Sequence, residues 1–112
     1  MKNLNLVKKK EADRYFIRNK SYYKKYTFDW IHKKISDLIE INSIQANNIL
    51  EIGCANGNKL HQYAKLCKSK KIYGVDLSNK EIKDGKKKYK NLKLFNMSSI
   101  EIDKIKLNFD FI

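Results

Sequence analysis

Two carboxylates and a run of small residues carry the chemistry legible in this 112-residue chain. The small residues are Gly53-Cys54-Ala55-Asn56-Gly57, with glycine or alanine at every second position. Such a run lets the backbone turn sharply and lets a ligand come close to main-chain amides. One acid, Glu51, stands two positions before the first glycine; the other, Asp76, closes a later apolar stretch. A carboxylate only accepts hydrogen bonds, and it can take both hydroxyl protons of a ribose. Asp76 follows Gly57 by about the interval expected for the ribose-binding acid of a nucleotide site.

The flanking residues supply the elements that must hold these groups. Ile49, Leu50 and Ile52 predict a short buried strand over about 48–53. Leu60, Tyr63, Ala64 and Cys67 recur at helical spacing and predict a helix over about 58–68. Lys65, Lys68, Lys70 and Lys71 complement the negative end of that helix. Ile72, Tyr73 and Val75 predict a second strand over 71–76, ending in Asp76. Strand, small-residue turn, helix and strand in that order make a βαβ unit of the nucleotide-binding type. The first amides of the helix then face the ligand.

Dinucleotide folds use G-x-G-x-x-G to bring a pyrophosphate onto the helix N-terminus. The spacing here is Glu51-x-Gly53-x-Ala55-x-Gly57. It resembles motif I of the class I S-adenosylmethionine-dependent methyltransferases, E/D-x-G-x-G-x-G, with Ala55 in place of the central glycine. Gly74-Val75-Asp76-Leu77-Ser78 resembles the motif II region of the same family. The resemblance implies S-adenosylmethionine as cofactor. The turn residues Gly53, Cys54, Ala55, Asn56 and Gly57 then admit its methionine portion. Glu51 suits the cationic end, Asp76 holds the ribose, and Leu77 packs beside the adenine.

Ser78-Asn79-Lys80-Glu81 reads as a capping box opening a second helix to about Lys90, with Ile82 and Tyr89 inward and Gly85 weakening it. Residues 91–95 predict a third strand. Asn96, Met97 and Ser98 follow it, where the family's motif III contacts adenine; no Asp stands there in this chain. Residues 99–107 read as a short connection or poor helix. Asn108-Phe109-Asp110-Phe111-Ile112 resembles the start of the family's fourth strand at motif IV.

The chain is expected to be one domain, with residues 1–47 as an N-terminal helical lid or cap segment. Residues 1–12 are lysine-rich and predict a frayed leader or weak helix. Seven aromatic residues follow between Glu11 and Trp30: Tyr15, Phe16, Tyr22, Tyr23, Tyr26, Phe28 and Trp30. With basic residues between them they read either as a stacking surface for single-stranded nucleic acid or as a helical lid on the core. The lid is favoured, because this stretch resembles a "YF-x-RN" segment ahead of motif I in some bacterial methyltransferases. On that resemblance Tyr15, Phe16, Arg18 and Asn19 line the site. Residues 27–41 predict an amphipathic helix with Phe28, Ile31, Ile35, Leu38 and Ile39 toward the core. His32, between lysines, reads as solvated, and His61 as a helix residue with no assigned role.

Net charge is +13, nearly all from Lys and spread along the chain, with Arg only at 14 and 18. Arg-led base recognition is not indicated, although nonspecific nucleic-acid affinity at low salt is compatible with this charge. Cys54 and Cys67 lack metal-ligand spacing. No apolar run approaches the length of a membrane span, and a cytoplasmic setting is expected.

The expected fold is α/β, a Rossmann-like class I methyltransferase fold that is incomplete. Residues 48–112 supply three to four parallel strands of a sheet that has seven in the family. Family members carry further strands and the acceptor-side loop beyond this point, so a fragment, or a sheet completed by a homodimer or partner chain, is expected. The implied function is methyl transfer from S-adenosylmethionine to an acceptor the sequence does not identify, and no catalytic residue is assigned. The alternatives are a small basic RNA-associated module without enzymatic activity, or a catalytically inactive fragment.

Overall fold

A computed structural model describes residues 2–25, 30–42, 47–66, 71–110 and 112. Tyr26, Phe28 and Cys67 lie outside the described residues, as do the side chains of Tyr22 and Tyr23. The order is α1 (Lys2–Lys25), α2 (Trp30–Ile41), β1 (Asn48–Ile52), α3 (Asn58–Leu66), β2 (Lys71–Asp76), α4 (Asn79–Lys88), β3 (Lys93–Asn96) and a 3-10 helix, Ser99–Ile105.

The three strands form one parallel sheet in the order β1-β2-β3. Ile49 lies opposite Ile72, and Leu50 opposite Tyr73. Because both faces of a parallel sheet are covered, successive residues are apolar on each side. One face gathers Ile49 and Ile72 with Leu60, Tyr63 and Ala64 of α3, Ile82 of α4, and Ile39 of α2. The other gathers Leu50, Tyr73 and Val75 beneath Phe95, Ile102, Ile105 and Phe109. The parallel register brings the carboxyl ends of the strands, at Ile52, Asp76 and Asn96, to one edge. Open α/β sheets bind their ligands along that edge.

The βαβ unit and α4 fall where the sequence predicts them. Ser78 caps α4, its hydroxyl accepting the Glu81 N–H at 3.1 Å. Of the two readings of residues 1–12, a frayed leader or a weak helix, residues 2–12 are helical, the first half of a continuous 24-residue helix. Two expectations change. On α2, Ile39 is buried and Ile35 half-buried, but Ile31 and Leu38 are exposed. The stripe there is narrower than its periodicity implied, because α2 packs chiefly along α3. Residues 108–110 are not a strand. They run beside the outer edge of β1, where the Asp110 N–H donates to the Asn48 carbonyl at 2.9 Å. The Asp110 carboxylate accepts the Asn47 and Asn48 N–H groups, both at 2.9 Å. That side chain takes the donors a continued ladder would have used.

Among the described residues, no helix is long and apolar enough to cross a membrane.

Candidate functional site

The turn between β1 and α3 is built on alternating left-handed residues. Gly53, Ala55 and Gly57 have φ of 77°, 53° and 83°. That alternation explains the small residue at every second position, since only glycine adopts this conformation without a Cβ penalty. Ala55 accepts the strain and is held in place: its N–H donates to Asp76 Oδ2 at 3.0 Å. Gly53 and Cys54 donate to the Val75 carbonyl at 2.8 and 3.1 Å, so the turn hangs from the end of β2.

The turn and the strand ends form one side of a cleft of about 850 Å³. Glu51, Gly53, Cys54, Ala55, Asp76 and Leu77 all line it, together with Met97 and Ser98. A Cβ placed on Gly53 would meet nothing within 4 Å, so the space above the turn is open. Across the cleft, Lys8, Lys9, Ala12 and Tyr15 of α1 make the opposite wall. The acids Glu51, Asp76 and Glu81 line the cleft beside Lys8, Lys9 and Lys59. Asp76 is oriented on both oxygens, with Oδ1 accepting the Ser78 N–H at 2.8 Å. Glu101 fastens the 98–101 wall by accepting the Ser98 N–H at 2.9 Å and Lys104 at 2.9 Å. The Ser98 amide first, and Lys104 second, pull its carboxyl down to about 2.

Other predicted residues do different work. Asn56 is buried and bonds Asp84 at 3.0 Å through its amide nitrogen, while its oxygen accepts the Asn58 N–H at 3.1 Å. Gly57 packs against Leu92. Asn96 spends its amide N–H groups on the carbonyls of Asp76 and Leu77, at 3.0 and 2.9 Å. It ties β3 to β2 and is absent from the cleft wall. Phe16 is buried, Arg18 pairs with Glu11 at 2.7 Å on the exposed face of α1, and Asn19 caps the Tyr15 carbonyl at 2.9 Å. Of the four cap residues, Tyr15 alone reaches the cleft. Burial, and then the charges of Asp76, Glu51 and Glu81, push the Cys54 thiol well above its ordinary range. Its backbone is at the site while its sulfur is packed away from chemistry.

Three residues escaped sequence reasoning. Asp13 on α1 accepts the Ser78 hydroxyl and the Lys80 N–H, the latter at 3.0 Å, and so docks α1 onto the start of α4. Asn58 is buried at the cleft wall, and its Nδ2 has no hydrogen-bond partner among the described residues. His32 is not solvated: its side chain is 12% exposed, and Nε2 lies 3.0 Å from Glu51 Oε2. Its flanking lysines suggested a surface position, but α2 turns this one residue toward β1. His61 bonds Asn91 at 3.0 Å and stacks on Tyr89, away from the cleft. Among the described residues no cluster of His, Cys, Asp and Glu is arranged to hold a metal.

Residues 44–112 match the methyltransferase domain family. The chain belongs to that family. This methyltransferase domain is 32% identical over 101 residues to an uncharacterized protein of Rickettsia prowazekii. The match takes in 80% of the chain but 40% of that relative's length. Among solved structures it is similar to PKMT2 from Rickettsia typhi, crystallised in complex with AdoHcy. That match has 33% identity and a TM-score of 0.50, over 57% of this chain and 14% of that one. The plantazolicin methyltransferase BamL, solved with a triazolic desmethylPZN analog and SAH, superposes with a TM-score of 0.62 at 17% identity. There the match covers 89% of this chain and 41% of the other, and it establishes the shared fold.

Proposed function

We propose that this methyltransferase domain binds S-adenosylmethionine and forms the cofactor-binding part of an enzyme that transfers its methyl group to an acceptor. One observation carries the reading: Asp76, at the end of β2, is fixed by the Ala55 amide across a glycine turn whose upper side is open. The AdoHcy- and SAH-bound relatives support it. So does the fit of the cleft. Its volume lies in the range of small-molecule sites, and Asn58 brings a buried donor to its wall at a cost of about 1–3 kcal/mol if left unmade.

When bound, the cofactor supplies an electrophilic methyl on a sulfonium, and transfer from it is an in-line displacement that depends on positioning. The chain's own residues divide that task. Glu51 and the Gly53, Cys54 and Ala55 part of the turn receive the amino-acid end. Asp76 accepts the ribose hydroxyls, and Leu77 with Met97 flanks the adenine beside Ser98. The α1 wall limits water at the sulfonium. A cytoplasmic setting belongs to the same reading, because the proposed cofactor is an intracellular metabolite.

Isothermal titration with S-adenosylhomocysteine tests the proposal. Micromolar binding is expected from the wild-type chain. Asp76→Ala, and Gly53→Val with its side chain in the open space of the cleft, should each weaken it at least about tenfold. A folded wild-type chain that binds nothing overturns the reading.

A further inference from the structure

We propose that His32 is a positioning residue for the amino-acid end of the ligand, acting through Glu51; the inference rests on the cofactor reading above. The two residues are 19 positions apart, and α2 and β1 bring them together. His32 Nε2 lies 3.0 Å from Glu51 Oε2. A carboxylate only accepts, so the imidazole must donate through Nε2–H. One carboxylate oxygen is then fixed, and Oε1 is left for a cationic group in the cleft that Glu51 lines.

The pair stands between two spaces. Glu51 faces the cleft and also a smaller cavity of about 300 Å³ between α2 and β1, which His32 lines beside Ile35, Ile49 and Tyr63. The Tyr63 ring stands 6.1 Å from the imidazole between centroids, tilted by 56° to it. Glu51 is 31% exposed by side chain. Without a partner on its cavity side it would have rotamers leading away from the cleft.

The pair is poorly explained as a fastening for α2. Ile39 and Ile35 already dock that helix on the core. An apolar residue at 32 would complete the contact without desolvating an imidazole and a carboxylate, a cost that their mutual attraction often fails to offset. What the pair adds is orientation of an acid at the rim of the ligand site, the role that supporting hydrogen bonds play around binding groups.

The test compares two ligands on the full 112-residue chain. S-adenosylhomocysteine carries the amino-acid end; 5′-methylthioadenosine lacks it and keeps the adenosine. His32→Ala should weaken the first about tenfold and leave the second unchanged. His32→Gln, whose amide nitrogen takes the place of Nε2, should recover most of the loss. Glu51→Gln should show the same selectivity, and the double variant should be no worse than the worse single one, as expected for residues acting as a unit. Equal weakening of both ligands by His32→Ala would make the residue a fold element only and overturn the inference. So would unchanged affinity for S-adenosylhomocysteine. If the wild-type chain binds no S-adenosylhomocysteine, the cofactor reading itself fails, whether or not 5′-methylthioadenosine binds; if it binds S-adenosylhomocysteine and His32→Ala leaves that affinity unchanged, only the role of the His32–Glu51 pair fails.

Discussion

At the residue scale, the glycines show what a sequence discloses and what it conceals. The alternation at 53, 55 and 57 was legible because three left-handed positions in five residues leave a visible pattern of small side chains. In the sequence Gly85 shows only as a weak point in α4. In the structure a Cβ there would stand 2.1 Å from the Asn56 carbonyl oxygen and 2.6 Å from Leu94. Gly85 therefore lets α4 close onto the ligand turn, and no local pattern announces a contact made across 29 residues. Gly85→Ala should destabilise the chain by about 2–4 kcal/mol, more than the gain in helix propensity of about 1 kcal/mol returns. Denaturant unfolding measures this, and an increase in stability would refute the close approach. Asn96 is the opposite case. Its place at the end of the third strand suggests a ligand contact, but a side-chain amide at a strand end finds backbone carbonyls as readily as a ligand.

At the element scale, the strands and the two helices between them follow from apolar runs, a capping serine and the βαβ order, and all appear within a few residues of their predicted bounds. The docking of α1 does not follow. Its exposed residues include Leu4, Leu6, Val7 and Ile17, so periodicity gives no clear inner face. Phe16 and the Asp13 carboxylate hold it instead. Asp13→Ala should release α1 while leaving the sheet intact. Limited trypsin digestion would then cut the Lys8–Arg18 region at least about tenfold faster, as expected for a unit that opens locally. The protection of β1 to β3 should be unchanged, and an unaltered cleavage rate would show that Asp13 does not anchor the helix.

At the scale of the whole molecule, charge is the dominant long-range term. A net charge of +13 on 112 residues opposes compaction. The ion pairs Arg18–Glu11, Lys33–Asp37 and Lys104–Glu101 are exposed and of the kind that contributes little. Salt should therefore stabilise the chain. Raising ionic strength from about 0.01 to about 0.15 M shortens the screening length from roughly 30 to roughly 8 Å, and Tm followed by circular dichroism should rise by several degrees. A fall would mean that specific attractions outweigh the general repulsion. Composition made this feature legible at once, whereas the location of the lysines at 8, 9 and 59 along one cleft required the fold.

The anchoring of α1 also sets an order of events during synthesis. The partners of Asp13 follow it by 65 and 67 positions. At about 5–20 residues per second, roughly 3–13 s separate the making of the helix from the making of its dock. In that interval α1 is a basic nascent peptide whose helicity depends on local propensity alone. The first wall of the cleft to leave the ribosome waits for a dock that is made only later.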